Sequence, residues 1–157
     1  MSGAGLPAVR TMQRVGAYAV CVRDGAVLLT RFTRSGRWTL PGGGVDFGED
    51  PRDAVVREVF EETGLAFAVG ALLDVRSRRW EHTDPDGVVV DVHGVQLVFA
   101  GEITGGVLTH EVGGSSDRAE WVPLADVEGL LRSRAVDEGL AAAGVSAGRI
   151  SPAVPPR

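Results

Sequence analysis

Three glutamates lie close together near the end of one predicted helix. Glu58, Glu61 and Glu62 occur in the stretch REVFEETGL, residues 57–65, in which Gly64 follows two residues after Glu62. Carboxylates in the last helical turn face the negative end of the helix dipole, which costs about 0.3–1 kcal/mol each. Glu58 and Glu62 are also four residues apart, and their like charges add repulsion of roughly 0.2–0.5 kcal/mol. A helix end that is destabilised in this way indicates that the carboxylates have a function.

A divalent cation would convert this repulsion into binding. Side chains at positions i, i+3 and i+4 converge on one patch of a helix, and Mg²⁺ or Mn²⁺ binds such carboxylate oxygens. A metal held there can bind phosphate oxygens, align them and acidify a water that attacks phosphorus. The alternative is a solvated acidic face in which Arg57 and Glu61 pair at i, i+4. Because that alternative leaves the spacing of Gly43, Glu49 and Gly64 unexplained, we favour the metal site.

Clear start and stop signals bound the helix that carries these glutamates. Asp50 is a good N-cap, and Pro51 suits the first helical position. Gly64 fits the position after the helix, where the chain leaves in a left-handed conformation. Apolar side chains at helical spacing form one stripe, which we expect to pack on a sheet: Val55, Val56, Val59 and Phe60. The helix is therefore predicted to have a packing face and an acidic face.

The other predicted elements are mostly strands. Residues 17–22 and 26–29 flank Asp24-Gly25, which is typical of a tight β-hairpin. Residues 41–44, with the sequence PGGG, are predicted to form a loop. Further strands are expected over 67–76, 88–100 and 120–122, and helices within 124–143. The mixture of strands and helices predicts an α/β fold, with the acidic helix lying on a sheet.

Length and composition indicate one globular domain. The chain has 157 residues, of which 44% are hydrophobic and 24% charged, enough for a single core. We predict a flexible arm over 1–13, a single domain over 14–145 and a flexible tail over 146–157. The net charge of −5 does not favour binding to a nucleic-acid polymer. The sequence lacks the apolar stretch of a membrane span or signal peptide, so a cytoplasmic location is expected.

The glutamates belong to a longer pattern that resembles a known family signature. Gly43 is followed after five residues by Glu49, and after seven more residues by the stretch 57–65. At every fixed position the resulting 23 residues resemble the box of the Nudix hydrolases. The resemblance extends over about 15–143 and implies an α/β/α sandwich with a mixed β-sheet, on which the loop and helix of the box pack. It also implies an Mg²⁺- or Mn²⁺-dependent pyrophosphohydrolase whose substrate is a small nucleotide. No association with a membrane is expected.

The resemblance implies roles for the acidic residues of the box. Glu58 and Glu62 are the best candidates for direct metal ligands, and Glu61 completes the cluster. All three are candidate catalytic residues, and which of them is the general base stays open. The backbone carbonyl of Gly42 or Gly43 is expected to provide a further oxygen ligand.

Four other positions of the box are expected to be structural. By resemblance, Glu49 and Arg57 form a salt bridge that braces the loop against the helix. Gly43 and Gly64 are the fixed glycines at the two ends of the box. These four residues are therefore predicted to hold the glutamates in place instead of reacting.

A further metal ligand is expected outside the box, from a loop near the C-terminal strand. We choose Glu111, ahead of Asp117 and Glu120, for this role. The alternative is that Glu111 is an ordinary glutamate of a surface loop.

Several arginines are candidates for binding substrate. Arg31 and Arg37 flank the chain that leads to the glycines of the box, where phosphates should lie. Arg76 and Arg78 share one face of a predicted strand, and Arg78 is the candidate from this pair. The alternative for each is a solvent-exposed side chain, and Trp80 is expected to be packing rather than a stacking platform.

The sequence lacks the markers of several Nudix subclasses. The proline of ADP-ribose hydrolases would lie some 15 residues after the box, where Trp80 stands. The subclass that remains is the broad group of Nudix enzymes that hydrolyse nucleoside triphosphates, which includes enzymes that remove oxidised nucleotides. The open alternatives are an ADP-ribose or other nucleoside diphosphate hydrolase, a nucleotide-sensing module on the same fold and a prenyl diphosphate isomerase. The resemblance is also compatible with a homodimer.

Overall fold

The computed structural model describes residues 9–147, which form eight strands, two α-helices and a 3₁₀-helix. In chain order the elements are β1 (Val9–Val20), β2 (Val22–Arg23), β3 (Ala26–Phe32), β4 (Trp38–Thr39), β5 (Gly42–Gly44), α1 (Pro51–Thr63), β6 (Leu65–Thr83), β7 (Val89–Gly106), β8 (Ser116–Pro123), a 3₁₀-helix (Leu124–Gly129) and α2 (Arg134–Ala142). Most of the predicted arm and tail, residues 1–8 and 148–157, lies outside the described residues. In the described range no helix is long and apolar enough to cross a lipid bilayer.

Two sheets form the framework, and the larger one is mixed. Its strand order is β5-β1-β7-β6, in which β1 runs parallel to β7 and antiparallel to β5, while β6 is antiparallel to β7. In the second sheet β3 pairs antiparallel with β2, β4 and β8. The predicted α/β class with a mixed sheet is therefore confirmed.

The two helices pack on two separate hydrophobic cores. In the first core, Ala54, Val55 and Val59 of α1 contact Ala17 of β1 and Phe99 of β7. The second core joins buried residues of β3, β7 and α2, namely Leu29, Val98, Val136 and Leu140. The helices thus cover different parts of the strand framework, which is the layered arrangement expected of an α/β/α sandwich.

The hairpin predicted at Asp24-Gly25 is present between β2 and β3. Asp24 has a φ of 51° and Gly25 a φ of 74°, and Val22 pairs with Val27 across the turn. Positive φ at both central residues is what a type I′ turn requires. The local sequence is therefore sufficient to predict this turn.

β1 is longer than the sequence predicted, and its two neighbours explain why. Residues 9–13, assigned above to a flexible arm, continue the parallel pairing with β7 from Val9 opposite Val89. The segment Gly42–Gly44, assigned to a loop, forms β5 and pairs with β1 as far as Tyr18. Both predictions were wrong because backbone hydrogen bonds to distant strands order segments whose own sequences favour no regular structure.

The buried face of α1 differs from the predicted apolar stripe. Val55 and Val59 are fully buried, but Val56 and Phe60 are 36% and 60% exposed. Glu62 and Thr63 take places on the buried face instead. In this orientation the helix buries Ala54, Val55 and Val59 in the core, and the Glu62 carboxylate accepts a hydrogen bond from the Gly42 N–H.

This orientation makes a prediction for stability. Val59→Ala should lower the free energy of unfolding by about 2 kcal/mol, because it removes fully buried apolar atoms. Phe60→Ala, the matched control one residue away, should change it by less than about 1 kcal/mol. Denaturant unfolding of both variants checks the difference, and an equal or larger loss for Phe60→Ala would contradict the orientation described here.

Candidate active site

Both ends of α1 are fixed by their local sequence. The Asp50 side chain accepts a hydrogen bond from the Arg52 N–H at 2.8 Å, so it caps the helix as predicted. At the other end Gly64 has a φ of 71°, and its N–H donates to the Phe60 carbonyl. A Cβ on Gly64 would also lie 2.5 Å from the Thr109 hydroxyl. Glycine is therefore required there for both conformation and space, and the glutamates keep a fixed position.

Glu62 is the buried carboxylate of the site, with only 4% of its surface exposed. Its Oε2 accepts hydrogen bonds from the Gly42 N–H at 2.9 Å and from the Thr30 hydroxyl at 3.5 Å. Burial raises the pKa of Glu62 to about 8; the Gly42 N–H opposes the rise, and the negative charges of Glu58 and Glu111 add to it. A cation placed among these carboxylates would favour their ionised form.

Glu58 lies against the glycine strand β5. A Cβ on Gly43 would be 2.6 Å from the Glu58 carboxylate, so only glycine leaves the carboxylate its present place. Burial raises the pKa of Glu58, while its hydrogen bond with Arg57 works in the opposite direction. Glu58 and Glu62 therefore approach neighbouring glycines of β5 from the same helix.

Arg57 connects the helix to the segment before it. Its guanidinium forms two hydrogen bonds with Glu49, both at 2.9 Å, and a third with the Gly44 carbonyl at 3.0 Å. It also donates to Glu58 at 2.9 Å and contacts Glu61 at 3.4 Å. The hydrogen bonds from Arg57 lower the pKa of Glu49 to about 2. The geometry is that of a brace between helix and loop.

Glu111 is the loop carboxylate that acts electrostatically on the box. Its Oε2 accepts hydrogen bonds from the Ser116 N–H at 3.0 Å and hydroxyl at 2.8 Å, and its charge contributes to the raised pKa values of Glu58 and Glu62. The two alternatives are engaged elsewhere. Asp117 forms a double hydrogen bond with Arg31, and Glu120 pairs with Arg118.

The donor set fits a hard divalent cation, although it is not assembled into a cage. Within residues 9–147, no group of three Asp, Glu, His or Cys side chains has converged to hold a metal. Yet the absence of a side chain at Gly43 leaves room for the Glu58 carboxylate beside β5. A bound cation would also relieve the repulsion among the carboxylates of Glu58, Glu62 and Glu111. Oxygen ligands of this kind suit Mg²⁺ and Mn²⁺.

Each of the three arginines predicted to bind substrate forms a salt bridge or hydrogen bond with another residue of the protein. Arg31 pairs with Asp117, and Arg37 donates to the Arg132 carbonyl at 3.3 Å. Arg78 pairs with Glu138 of α2. Their roles in binding substrate stay predictions, and each would have to exchange or share an existing contact.

A cavity of about 260 Å³ lies directly beside Gly42 and Gly43. Most of the residues that line it could not be identified from the sequence. The side chains that line it include Arg14, Tyr18, Phe32, Trp80 and Gln96. They come from β1, β3, β6 and β7, so no local motif contains them. The one feature of the sequence that indicates part of this lining is the alternation of side chains along β1, which places Arg14, Gly16 and Tyr18 on one face of the strand.

Comparison with known proteins now identifies the family. A family model described as the NUDIX domain matches residues 11–142, which include the helix, the glycine strand and the loop carboxylate described above. This protein belongs to the Nudix family.

Individual relatives support the same family. The chain is 34% identical over 119 residues to an ADP-ribose pyrophosphatase from Methanocaldococcus jannaschii, covering 74% of this chain and 65% of the relative. It is 34% identical over 96 residues to a putative 8-oxo-dGTP diphosphatase from Bacillus subtilis, covering 60% of this chain and 57% of the relative. The match thus spans less than two thirds of the length of either relative.

A solved structure supports the fold. The crystal structure of a MutT NUDIX hydrolase from Burkholderia pseudomallei superposes with a TM-score of 0.62 at 31% identity. The superposition covers 83% of this chain and 97% of that chain. The predicted Nudix fold is confirmed.

The two shifted carboxyl groups make opposite predictions for stability as a function of pH. The folded-state pKa of Glu62 is above its ordinary value of 4.5, so its contribution is present below pH 4.5 and is lost as pH rises through about 8. Glu62→Gln should therefore unfold less readily than the wild type near pH 8 in EDTA, by on the order of a few kcal/mol. Chemical unfolding across pH checks this, and equal stability of the two proteins at pH 8 would contradict it.

Glu49→Gln is the matched control, because the sign is reversed. The pKa of Glu49 is lowered to about 2, so its contribution is present above pH 4.5 and is lost as pH falls through about 2. Glu49→Gln should be less stable than the wild type at neutral pH, and the two should converge in acid. A deficit that does not change with pH would show that the ion pair with Arg57 is not its cause.

Proposed function

We propose that this protein is a divalent-cation-dependent pyrophosphohydrolase that cleaves a nucleoside diphosphate linked to another moiety. The favoured substrate class is a nucleoside triphosphate, including an oxidised one. The observation that carries the proposal is the approach of Glu58 and Glu62 to the glycines of β5, with the charge of Glu111 close by. A buried carboxylate, Glu62, beside the partly exposed carboxylate of Glu58, whose charge repels it, is difficult to explain without a cation.

The residues of the site have distinct tasks in this proposal. Glu58 and Glu62 hold the cation, with Glu61, Glu111 and the Gly42 carbonyl as further oxygen ligands. Bound Mg²⁺ or Mn²⁺ supplies charge neutralisation at the phosphates and lowers the pKa of a water. One of the three helix glutamates accepts the proton of the attacking water.

The brace formed by Arg57 has a task of its own. Its hydrogen bonds to Glu49 and the Gly44 carbonyl hold β5 beside α1. This contact keeps the two halves of the cation site at a fixed separation, so binding does not have to order the loop. Arg57 is therefore proposed as a positioning residue.

Two substrate candidates have specific support from the relatives. Similarity to the protein named a putative 8-oxo-dGTP diphosphatase favours a nucleoside triphosphate, and similarity to the protein named an ADP-ribose pyrophosphatase favours ADP-ribose as the second candidate. A panel of nucleoside triphosphates, 8-oxo-dGTP and ADP-ribose, with products separated by chromatography, distinguishes them. Release of a nucleoside monophosphate and pyrophosphate indicates the first; release of AMP and ribose 5-phosphate indicates the second.

Removing one carboxylate should abolish turnover without unfolding the protein. Glu58→Gln and Glu62→Gln should each lower kcat at saturating Mg²⁺ by about 100-fold or more, because each removes a proposed ligand charge. EDTA should abolish wild-type turnover, and added Mg²⁺ or Mn²⁺ should restore it. The control is Glu102→Gln, an exposed position on β7. Full activity in Glu62→Gln, or in the presence of EDTA, would remove the basis of the proposal.

Gly43→Ala tests the close approach of Glu58 to β5 by changing the strand instead of the glutamate. The added methyl group would lie 2.6 Å from the end of a flexible side chain, so the Glu58 carboxylate should move while the fold is kept. We expect Mg²⁺ affinity, measured by calorimetry, to fall at least tenfold, with a near-normal unfolding midpoint. Gly105→Ala is the control, because no atom lies within 4 Å of its added Cβ. Unchanged Mg²⁺ affinity in Gly43→Ala would argue against Glu58 as a ligand.

A further inference from the structure

We infer that Arg14 and Trp80 bind the two ends of a nucleotide in the cavity beside β5: Arg14 binds phosphate, and Trp80 stacks on the base. The inference rests on the proposed function and deepens it, because it names the groups that would distinguish a nucleotide from a diphosphate without a base. It concerns side chains outside the signature of residues 43–65.

Arg14 is an exposed arginine of β1 whose guanidinium lies close to β5. In the part of the chain that the structure describes, it forms no ion pair and donates no side-chain hydrogen bond, whereas Arg31, Arg57 and Arg78 are all paired. Its guanidinium lies over β5, with Nη2 3.3 Å from where a Cβ on Gly44 would be. A free guanidinium beside the glycines of a proposed polyphosphate site is placed to form charge-assisted hydrogen bonds with phosphate.

Trp80 offers an aromatic surface to the same cavity. Its indole packs on β7, where a Cβ on Gly94 would lie 2.6 Å from Cζ3 and 2.9 Å from Cη2. The absence of a side chain at Gly94 therefore lets the ring lie against the backbone. The residue still keeps 41% of its surface exposed. A large aromatic that is supported on one side and exposed on the other is suited to stacking on a planar base.

The spacing of the two residues fits a nucleotide. Arg14 is the register partner of Gly94 across β1 and β7, and Trp80 lies on β6, on the other side of β7. Two strand spacings separate their backbones by roughly 10 Å, comparable with the extent of a nucleotide from phosphate to base. Gly16, Gly43 and Gly94 line the cavity between them. The Tyr18 ring lies over Gly16 and the Trp80 ring lies over Gly94, so a base would lie against aromatic rings there and not against bare backbone.

A purely structural role is the competing explanation for Trp80. Aromatic side chains often cover a glycine on the neighbouring strand and thereby stabilise a sheet. Trp80→Leu separates the two roles, because leucine still covers Gly94 but cannot stack. Trp80→Phe keeps an aromatic face and should recover part of any lost base affinity.

The experiment measures binding and not turnover, so it is independent of the proposed hydrolysis. Adenosine and guanosine 5′-monophosphates, and methylenediphosphonate as a ligand without a base, are titrated by calorimetry with Mg²⁺ and again with EDTA. Trp80→Leu should weaken the mononucleotides at least tenfold and leave methylenediphosphonate unchanged. Arg14→Gln should weaken all three ligands. Arg10→Gln is the control, because Arg10 lies on the same face of β1 but pairs with Asp84.

The outcomes are clear for each residue. Wild-type affinity for the mononucleotides in Trp80→Leu, with the fold intact by circular dichroism, would overturn the role of Trp80. Equal losses in Arg14→Gln and Arg10→Gln would show a general charge effect and overturn the role of Arg14. If the wild-type protein hydrolyses nucleotides with Mg²⁺ but binds none of these ligands, the inference fails while the proposed function stands.

Discussion

The placement of the Glu62 carboxylate inside the protein is the constraint on which the site depends. An ionised carboxylate loses its hydration when it is buried, and two hydrogen bonds, from the Gly42 N–H and the Thr30 hydroxyl, recover only part of that loss. The repulsion from Glu58 and Glu111 makes ionisation still less favourable. The fold accepts this cost at one position of α1, where a hydrophobic residue would stabilise the helix better. Such a position is where function is expected to override local stability.

Arg57 shows how the structure separates support from chemistry. Its guanidinium lies within 4 Å of four carboxylates, those of Asp46, Glu49, Glu58 and Glu61. Only Glu49 receives two hydrogen bonds from it. Glu49 and Arg57 therefore satisfy each other, and the Gly44 carbonyl fixes the pair to β5. Glu62 has no arginine partner within hydrogen-bonding distance in the described residues. The carboxyl group that lacks an arginine partner is thus the one at the buried end of the cluster.

The cavity next to this cluster is built by a different part of the fold. Strands β1, β5 and β7 of the mixed sheet line it, and the side chains around it include Arg14, Phe32 and Trp80. The box supplies the carboxylates, whereas the strands supply the surface against which a substrate would lie. Under the proposed function, the choice of substrate would therefore depend on the strands and not on the acidic helix.

The sequence by itself determined the class of fold, the helix over 51–63 with both of its caps, the hairpin at Asp24-Gly25 and the family, because these depend on local signals at fixed spacing. Only the tertiary structure decided which face of α1 is buried: Glu62 is buried and contacts Gly42, whereas Phe60 is exposed. It also decided that residues 9–13 and 42–44 are strands, and that Arg14 and Trp80 border one cavity. These features depend on the register between strands distant in sequence, and no local pattern of residues specifies that register.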